Sequence, residues 1–315
     1  MGSELWIWGV FIGVVLTLLA FDLGFLNRGN NEISIKKSLK LSAFYIGAGL
    51  LFGAWVWSFK GPQAGMDYFT GFLVEKSLSM DNVFIISLIF TSLAIPRELQ
   101  HRVLFWGILG AIVMRAVMIG LGAALVHQFS WILLVFGAFL IITGIKMLVA
   151  NDEDPDIENN RMFKFFKRHL RMVPTLQGNH FFVRGEAIGK KAGWWATPLF
   201  LALVMVEAAD LVFAVDSIPA IFAITQDPFI VYTSNIFAIL GLRALYFALA
   251  AMVHRFHYLK YALAVVLVFI GCKIGLVYMN IKIPSVLSLT VTFGLLLAGV
   301  LYSLYKTRGE ALPKN

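Results

Sequence analysis

The chain of 315 residues is 59% hydrophobic and only 14% charged, with a mean hydropathy of +0.81. Soluble globular domains carry about 25% charged residues, so this composition excludes a soluble domain and predicts an integral membrane protein. The formal net charge of +8 is then a signal of membrane topology, and it predicts no nucleic-acid partner. The single cysteine, Cys272, excludes an intramolecular disulfide and disfavours a thiolate metal site.

Nine segments are apolar over the roughly 20 residues that a helix needs to cross the hydrocarbon. We number these predicted spans one to nine; they cover residues 5–26, 41–59, 68–90, 103–126, 129–150, 197–222, 229–251, 259–278 and 285–305. The first is expected to remain as a span, because no basic residue precedes it and its apolar run is longer than a signal-peptide core. The sequence therefore predicts an all-α membrane protein with one polytopic domain, residues 1–315.

The loops between the spans alternate in basic content. Lysine and arginine follow spans one, three, five, seven and nine, whereas the other loops contain only Lys60 and Lys282. Because short cytoplasmic loops are enriched in basic residues, the N terminus is predicted outside and the C terminus inside. Residues 151–196 then form a cytoplasmic loop. It contains the acidic run "NDEDPDIE", a basic and aromatic segment suited to an interfacial helix, and a predicted hairpin between "HFFVR" and "KAGWW".

Ionisable residues interrupt several spans. Spans three and six contain the acids Glu75, Asp81, Glu207, Asp210 and Asp216. Each ionisable group near the bilayer centre costs about 2.5–3.5 kcal/mol on insertion scales, which argues for a function. Ion pairs that only hold helices together are the alternative, but five acids in two matching segments favour a functional site.

The charged residues recur with matching spacing, which predicts an internal repeat. "DNVF" at Asp81 resembles "DLVF" at Asp210, and "GIKM" in span five resembles "GCKI" in span eight. Asp81 precedes Arg115 by 34 positions, and Asp210 precedes Arg243 by 33. Spans three to five and six to eight then form two three-helix units, inverted because an odd number of crossings separates them. Transporters of this layout hold their substrate near the midplane between the repeats.

Carboxylates on facing helices are hard oxygen ligands, which suit Mg²⁺, Ca²⁺ or Mn²⁺. Pro219 is expected to kink span six and to free the carbonyl oxygen of Val215. The predicted metal ligands are Glu75, Asp81, Asn82, Glu207, Asp210, Asp216 and Ser217. Crowding of like charges favours proton exchange against the metal, which we state as a hypothesis.

The basic residues within the spans are predicted either to pair with acids or to reach the membrane surface. Arg115 and Arg243 are expected to pair with acids that do not bind the ion, so that an empty site is near neutral. Lys146 and Lys273 lie near helix ends and are expected to extend to the membrane surface as anchors. The sequence assigns no role to Lys76 or to Asn235.

Three segments, "GFLVEKSLSMDNVF", "VEAADLVFAVDSIPAIFAITQDPF" and "SNIFAILGLRALYF", resemble signature segments of the TerC family of bacterial membrane proteins, and in particular its Alx-like, manganese-exporting branch. The resemblance covers nearly the whole chain. It implies an inner-membrane cation transporter whose metal is handled by the acids of the two repeated spans. Manganese and the direction of export come from this resemblance, whereas the residues alone indicate only a hard divalent cation.

The favoured prediction is Mn²⁺ export across the bacterial inner membrane by alternating access, with proton coupling as a further hypothesis. Two alternatives stay open: a membrane assembly factor for metal loading or tellurite resistance, and a structural membrane subunit. No loop offers a nucleophile and a base at a recognisable spacing, so no enzyme activity is predicted. The expected partners are the lipid bilayer and the transported cation, and no resident cofactor is expected.

Overall fold

The structure, a computed structural model, describes residues 2–26, 35–129, 131–149, 164–165, 168, 170–189, 192–249, 258–279, 281 and 283–307. Within these ranges the side chains of three residues with predicted roles, Asp81, Asp216 and Arg243, lie outside the described part. The helices in chain order are α1 (Gly2–Leu26), α2 (Ile35–Lys60), α3 (Pro62–Ser92), α4 (Arg97–Gln128), α5 (Ile132–Val149), α6 (Pro198–Ile224), α7 (Pro228–Leu240), α8 (Leu242–Leu249), α9 (Leu259–Tyr278) and α10 (Ser285–Lys306).

The predicted all-α membrane fold is confirmed. In the described part of the chain, seven segments are long and apolar enough to cross a membrane: α2 from Lys36, α4, α5, α6, residues 228–247, α9 and α10. Helix α3 is not among them, because each of its 18-residue windows contains at least three charged residues. It nevertheless occupies the middle of the bundle, where it packs against α2, α6, α7 and α10. Sidedness in the membrane stays a prediction.

Predicted span seven is interrupted at Gly241, where α7 ends and α8 begins. A Cβ atom at Gly241 would lie 2.9 Å from Tyr45 Cβ and 3.1 Å from Lys76 Nζ. The Lys76 ammonium donates to the carbonyl oxygen of Ala238 at 3.0 Å. This carbonyl lies in the last turn of α7, where helix carbonyls lack regular partners. Predicted span seven therefore consists of α7 and α8, which together form one apolar segment over residues 228–247. Lys76 has a capping role that the sequence did not indicate.

Pro219 lies inside α6, and Lys273 lies in the last two turns of α9. Helix α6 runs from Pro198 to Ile224 without a break at Pro219. The anchor role predicted for Lys273 was wrong: its side chain is buried, and Nζ donates to Ser288 Oγ of α10 at 3.3 Å. Packing of α10 against α9 covers this lysine, whereas Lys146 in α5 is exposed as predicted.

Helices α5 and α9 form the most extensive helix pair of the bundle. Glycines allow the close approach: a Cβ atom at Gly144 would lie 2.7 Å from the carbonyl oxygen of Ala264, and one at Gly271 would lie 2.6 Å from that of Gly137. The offset of 127 residues that aligns "GIKM" with "GCKI" relates Gly144 to Gly271 and Gly137 to Ala264. Reciprocal contacts of this kind are expected at a two-fold axis. They support the inverted repeat, whose remaining details stay a prediction.

The loop before α6 contains the predicted hairpin. Strands β1 (Phe182–Arg184) and β2 (Trp194–Ala196) pair in antiparallel register, and the Arg184 guanidinium lies 5.6 Å from the centre of the Trp194 ring. Thr197 caps α6, since its hydroxyl accepts from the backbone N–H of Phe200 at 3.4 Å. The acidic run at 151–158 and most of the predicted interfacial helix lie outside the described residues, so both stay predictions. The assignment of the whole loop to the cytoplasm also stays one.

Candidate functional site

A buried ion-pair network joins α3, α4, α6 and α7 in the interior of the bundle. Its centre is the fully buried guanidinium of Arg115 in α4. Nη2 donates to Asp210 Oδ1 at 2.8 Å and Nε donates to Oδ2 at 3.2 Å, which makes the pair with Asp210 bidentate. Nη1 donates to Glu75 Oε1 and, at 2.9 Å, to Asn235 Oδ1. Bidentate pairs of this kind combine strong attraction with fixed geometry.

Asn235 of α7 completes the network. Its Nδ2 donates to Glu75 Oε2 at 3.1 Å, and its side chain is fully buried. Both oxygens of the Glu75 carboxylate therefore have a partner, as a buried charge requires. The sequence left Asn235 unassigned, and its signal was a single amide within the apolar stretch "SNIFAIL". The network contains two carboxylates and one guanidinium, and the buried ammonium of Lys76 lies near enough to Glu75 to interact with it.

The two acids of the network differ in accessibility. The side chain of Asp210 is 11% exposed, compared with 1% for Glu75. Asp210 and Asn82 border a cavity of about 30 Å³, whose other walls are apolar side chains of α3, α4, α6, α7 and α8. A cavity of this size holds one water-sized species. Asn82 is buried, and its Oδ1 has no hydrogen-bond partner among the described residues. Asn82 Oδ1 and the Asp210 carboxylate thus offer two oxygen ligands beside the cavity.

Glu207 and Ser217 place further oxygens on α6. Glu207 lies one turn before Asp210 and packs against α4 at Gly110, where a Cβ atom would overlap Glu207 Oε1. A side chain at position 110 would therefore displace the Glu207 carboxylate from its place against α4. Ser217 lies two turns after Asp210 and is buried, and within the described part of the chain its Oγ has no hydrogen-bond partner.

The structure brings together part of the predicted metal-ligand set. Asp81 lies in α3, Asp216 in α6 and Arg243 in α8, but their side chains are outside the described part. Among the side chains that are described, no group of three or more His, Cys, Asp or Glu is close enough to hold a metal ion. The pairing of Arg115 with acids is observed, and the metal-ligand set stays a prediction.

Comparison with known proteins identifies the family. Residues 60–311 match the family described as "Integral membrane protein TerC family". An "Uncharacterized membrane protein" of Rickettsia bellii (strain RML369-C) is 48% identical and aligns with 95% of this chain and 97% of its own length. The "Uncharacterized membrane protein STKORF319" of Myxococcus xanthus is 47% identical over 96% of this chain and 93% of its own.

A third relative carries a functional name. The "Putative membrane-bound redox modulator Alx" of Escherichia coli (strain K12) is 47% identical over 92% of this chain and 91% of its own length. No solved structure matches the chain. The family match covers most of the chain, and the relatives align over nearly their full lengths. The chain is therefore a multi-pass member of the integral membrane protein TerC family.

Proposed function

We propose that this protein is a transporter of the bacterial inner membrane that exports a hard divalent cation, Mn²⁺ in particular, through the interior between α3, α4, α6 and α7. The observation that carries this proposal is the buried network of Arg115, Asp210 and Glu75. Ionisable groups inside a membrane bundle are costly, and they commonly mark ion pathways. The Asp210 carboxylate beside a small cavity attracts a cation.

At Asp210, the more accessible acid of the network, a cation exchanges with the Arg115 guanidinium. A cation that enters the cavity meets the Asp210 carboxylate and the unpartnered Asn82 Oδ1. Arg115 then releases Asp210 and keeps Glu75, whose second oxygen is already held by Asn235. Because Arg115 belongs to α4 and Asp210 to α6, release of this pair loosens the contact between two helices of different repeats. Alternating access requires such a change between repeats.

The oxygen-rich set also favours one class of metal. Carboxylate, amide and hydroxyl oxygens suit Mg²⁺, Ca²⁺ and Mn²⁺, and the preference for Mn²⁺ rests on the family resemblance. The name of the Escherichia coli relative includes redox modulation. With one cysteine in the chain, cycling between an intramolecular dithiol and a disulfide is excluded. Metal handling is therefore the favoured activity.

Mn²⁺ uptake into inside-out vesicles, with and without a pH gradient, tests the proposal. Wild type, Asp210→Asn and the control Lys146→Gln are compared at equal abundance in the membrane. We expect uptake by wild type and by the control, and at least a tenfold loss with Asp210→Asn, because the amide removes the accessible charge of the network. Background uptake by all three proteins would refute export by this protein and favour the assembly-factor alternative.

A further inference from the structure

A second polar cluster lies at the end of the bundle that is predicted to face outside. Asp67 of α3 and Lys273 of α9 are 9% and 7% exposed, and Gln63 and Ser285 connect Asp67 to the cavity that Lys273 lines. Lys273 Nζ donates to Ser288 Oγ at 3.3 Å, and Gln63 Nε2 donates to Asp67 Oδ1 at 3.2 Å. Glu75 lies eight residues further along α3, about 12 Å along the helix axis. The cluster is therefore separate from the Arg115 network but on the same central helix.

This cluster forms part of the wall of a large cavity. Lys273 and Ser285 line a cavity of about 270 Å³, together with Thr225 and Gln226 at the end of α6. The volume holds several water molecules. Gln63 also donates to Ser285 Oγ, so Ser285 connects the cavity wall to the partners of Asp67. The helix ends around the cavity all belong to the side predicted to be external.

Burial of a lysine at this position is unusual. Lysine is almost never fully buried unless it is paired, and near a helix end its flexible stem normally extends to the membrane surface. The residue at the matching place in the other repeat, Lys146, is exposed. Lys273 instead donates to Ser288 of α10, so its ammonium lies between α9 and α10. A role in anchoring does not explain this placement.

Building on the proposed function, we propose that Asp67 and Lys273 form the outer gate of the cation path. Asp67 is the last carboxylate that a divalent cation binds before it leaves through the cavity. In the closed gate the Lys273 ammonium neutralises Asp67. An arriving cation competes for this carboxylate, with hydroxyl oxygens of Ser285 and Ser288 as further hard ligands. Repulsion between the cation and the ammonium then drives Lys273 towards the cavity and opens the path.

Thiol labelling from outside tests the gate without any transport measurement. In a Cys272→Ser background, Gln226→Cys reports the cavity and Thr70→Cys, one turn deeper than Asp67, reports the interior side of the gate. The probe is a membrane-impermeant, cationic methanethiosulfonate. We expect Gln226→Cys to react at the same rate in every variant. Thr70→Cys is expected to react at least tenfold faster when Lys273→Gln or Asp67→Asn is added.

Matched variants make the result decisive. Lys273→Arg keeps the charge and Lys146→Gln removes the repeat-related lysine, so both should leave Thr70→Cys slow. An unchanged rate with both Lys273→Gln and Asp67→Asn would overturn the gate. If Lys273→Gln does not reach the membrane, Asp67→Asn alone decides, because it releases the same ammonium.

Mn²⁺ transport in proteoliposomes separates the gate from the proposed function. We expect Asp67→Asn to lower transport at least tenfold and Lys146→Gln to leave it unchanged. Wild-type activity that Asp67→Asn and Lys273→Gln both retain would overturn the gate while export stands. Absence of transport by wild type would refute export, and the labelling rates would still support or overturn a gate at Asp67.

Discussion

Removal of the Arg115 guanidinium is the most direct test of the buried network. Arg115→Gln leaves the carboxylates of Glu75 and Asp210 at 1% and 11% exposure without their cationic partner. Breaking a buried pair by removing one partner costs about 3–5 kcal/mol, because the remaining charge is uncompensated. At about 2 °C per kcal/mol for a chain of this size, we expect the Tm to fall by about 6–10 °C. Fluorescence-detected thermal unfolding in detergent measures this shift.

Compensating substitutions test the physical reason for that loss. In the triple variant Arg115→Gln, Glu75→Gln, Asp210→Asn, no charge of the network remains buried, so we expect at least half of the Tm loss to be recovered. Lys146→Gln, which alters an exposed lysine, should shift the Tm by no more than about 1 °C. A single variant as stable as wild type would refute the argument. A triple variant whose Tm is no higher than that of Arg115→Gln would also refute the argument.

Three further predictions concern packing, the orphan amide and the surface. Gly271→Ala places a Cβ atom 2.6 Å from a carbonyl oxygen of α5 and should destabilise by about 1–3 kcal/mol. Gly275→Ala, with no described atom within 4 Å of its Cβ position, should be neutral or stabilising in the same unfolding assay. Equal effects would contradict the close packing of α5 and α9. Asn82→Leu removes an acceptor that has no partner among the described residues. We expect an unchanged or higher Tm, because no hydrogen bond is lost, and at least a tenfold loss of Mn²⁺ uptake. Mn²⁺ uptake at the wild-type rate would exclude the amide from the cation path. Lys60→Met breaks a partly exposed ion pair with Asp227 at 2.5 Å and should lower the free energy of unfolding by less than about 1 kcal/mol. In 1 M salt, which screens the pair, the difference between wild type and variant should shrink. A larger loss of stability would show that the pair is shielded from water.

The sequence by itself determined the class of protein and the positions of the seven segments that are long and apolar enough to cross a membrane in the described part of the chain. Only helices and closed barrels satisfy backbone hydrogen bonds in hydrocarbon, and a helix must remain apolar over a fixed length. Both requirements apply to one segment of the chain at a time, so composition and hydropathy were sufficient to predict the helical spans. The same reasoning located the costly residues Glu75, Asp210 and Arg115, and it required that some of them pair. The repeat of "GIKM" and "GCKI" indicated two related three-helix units, but the close contact of α5 and α9 at Gly144 and Gly271 came only from the structure.

Only the tertiary structure decided which groups meet. Arg115 pairs with Asp210 across 95 positions and with Asn235 across 120, and such contacts depend on the rotation and tilt of each helix. An apolar pattern does not define that rotation when every face of a span is apolar. Lys273 is buried where α10 packs over α9. The ammonium of Lys76 in α3 meets the last turn of α7 at the carbonyl oxygen of Ala238. Local spacing therefore determined where charges lie along the membrane normal, and packing between helices determined the partner of each one.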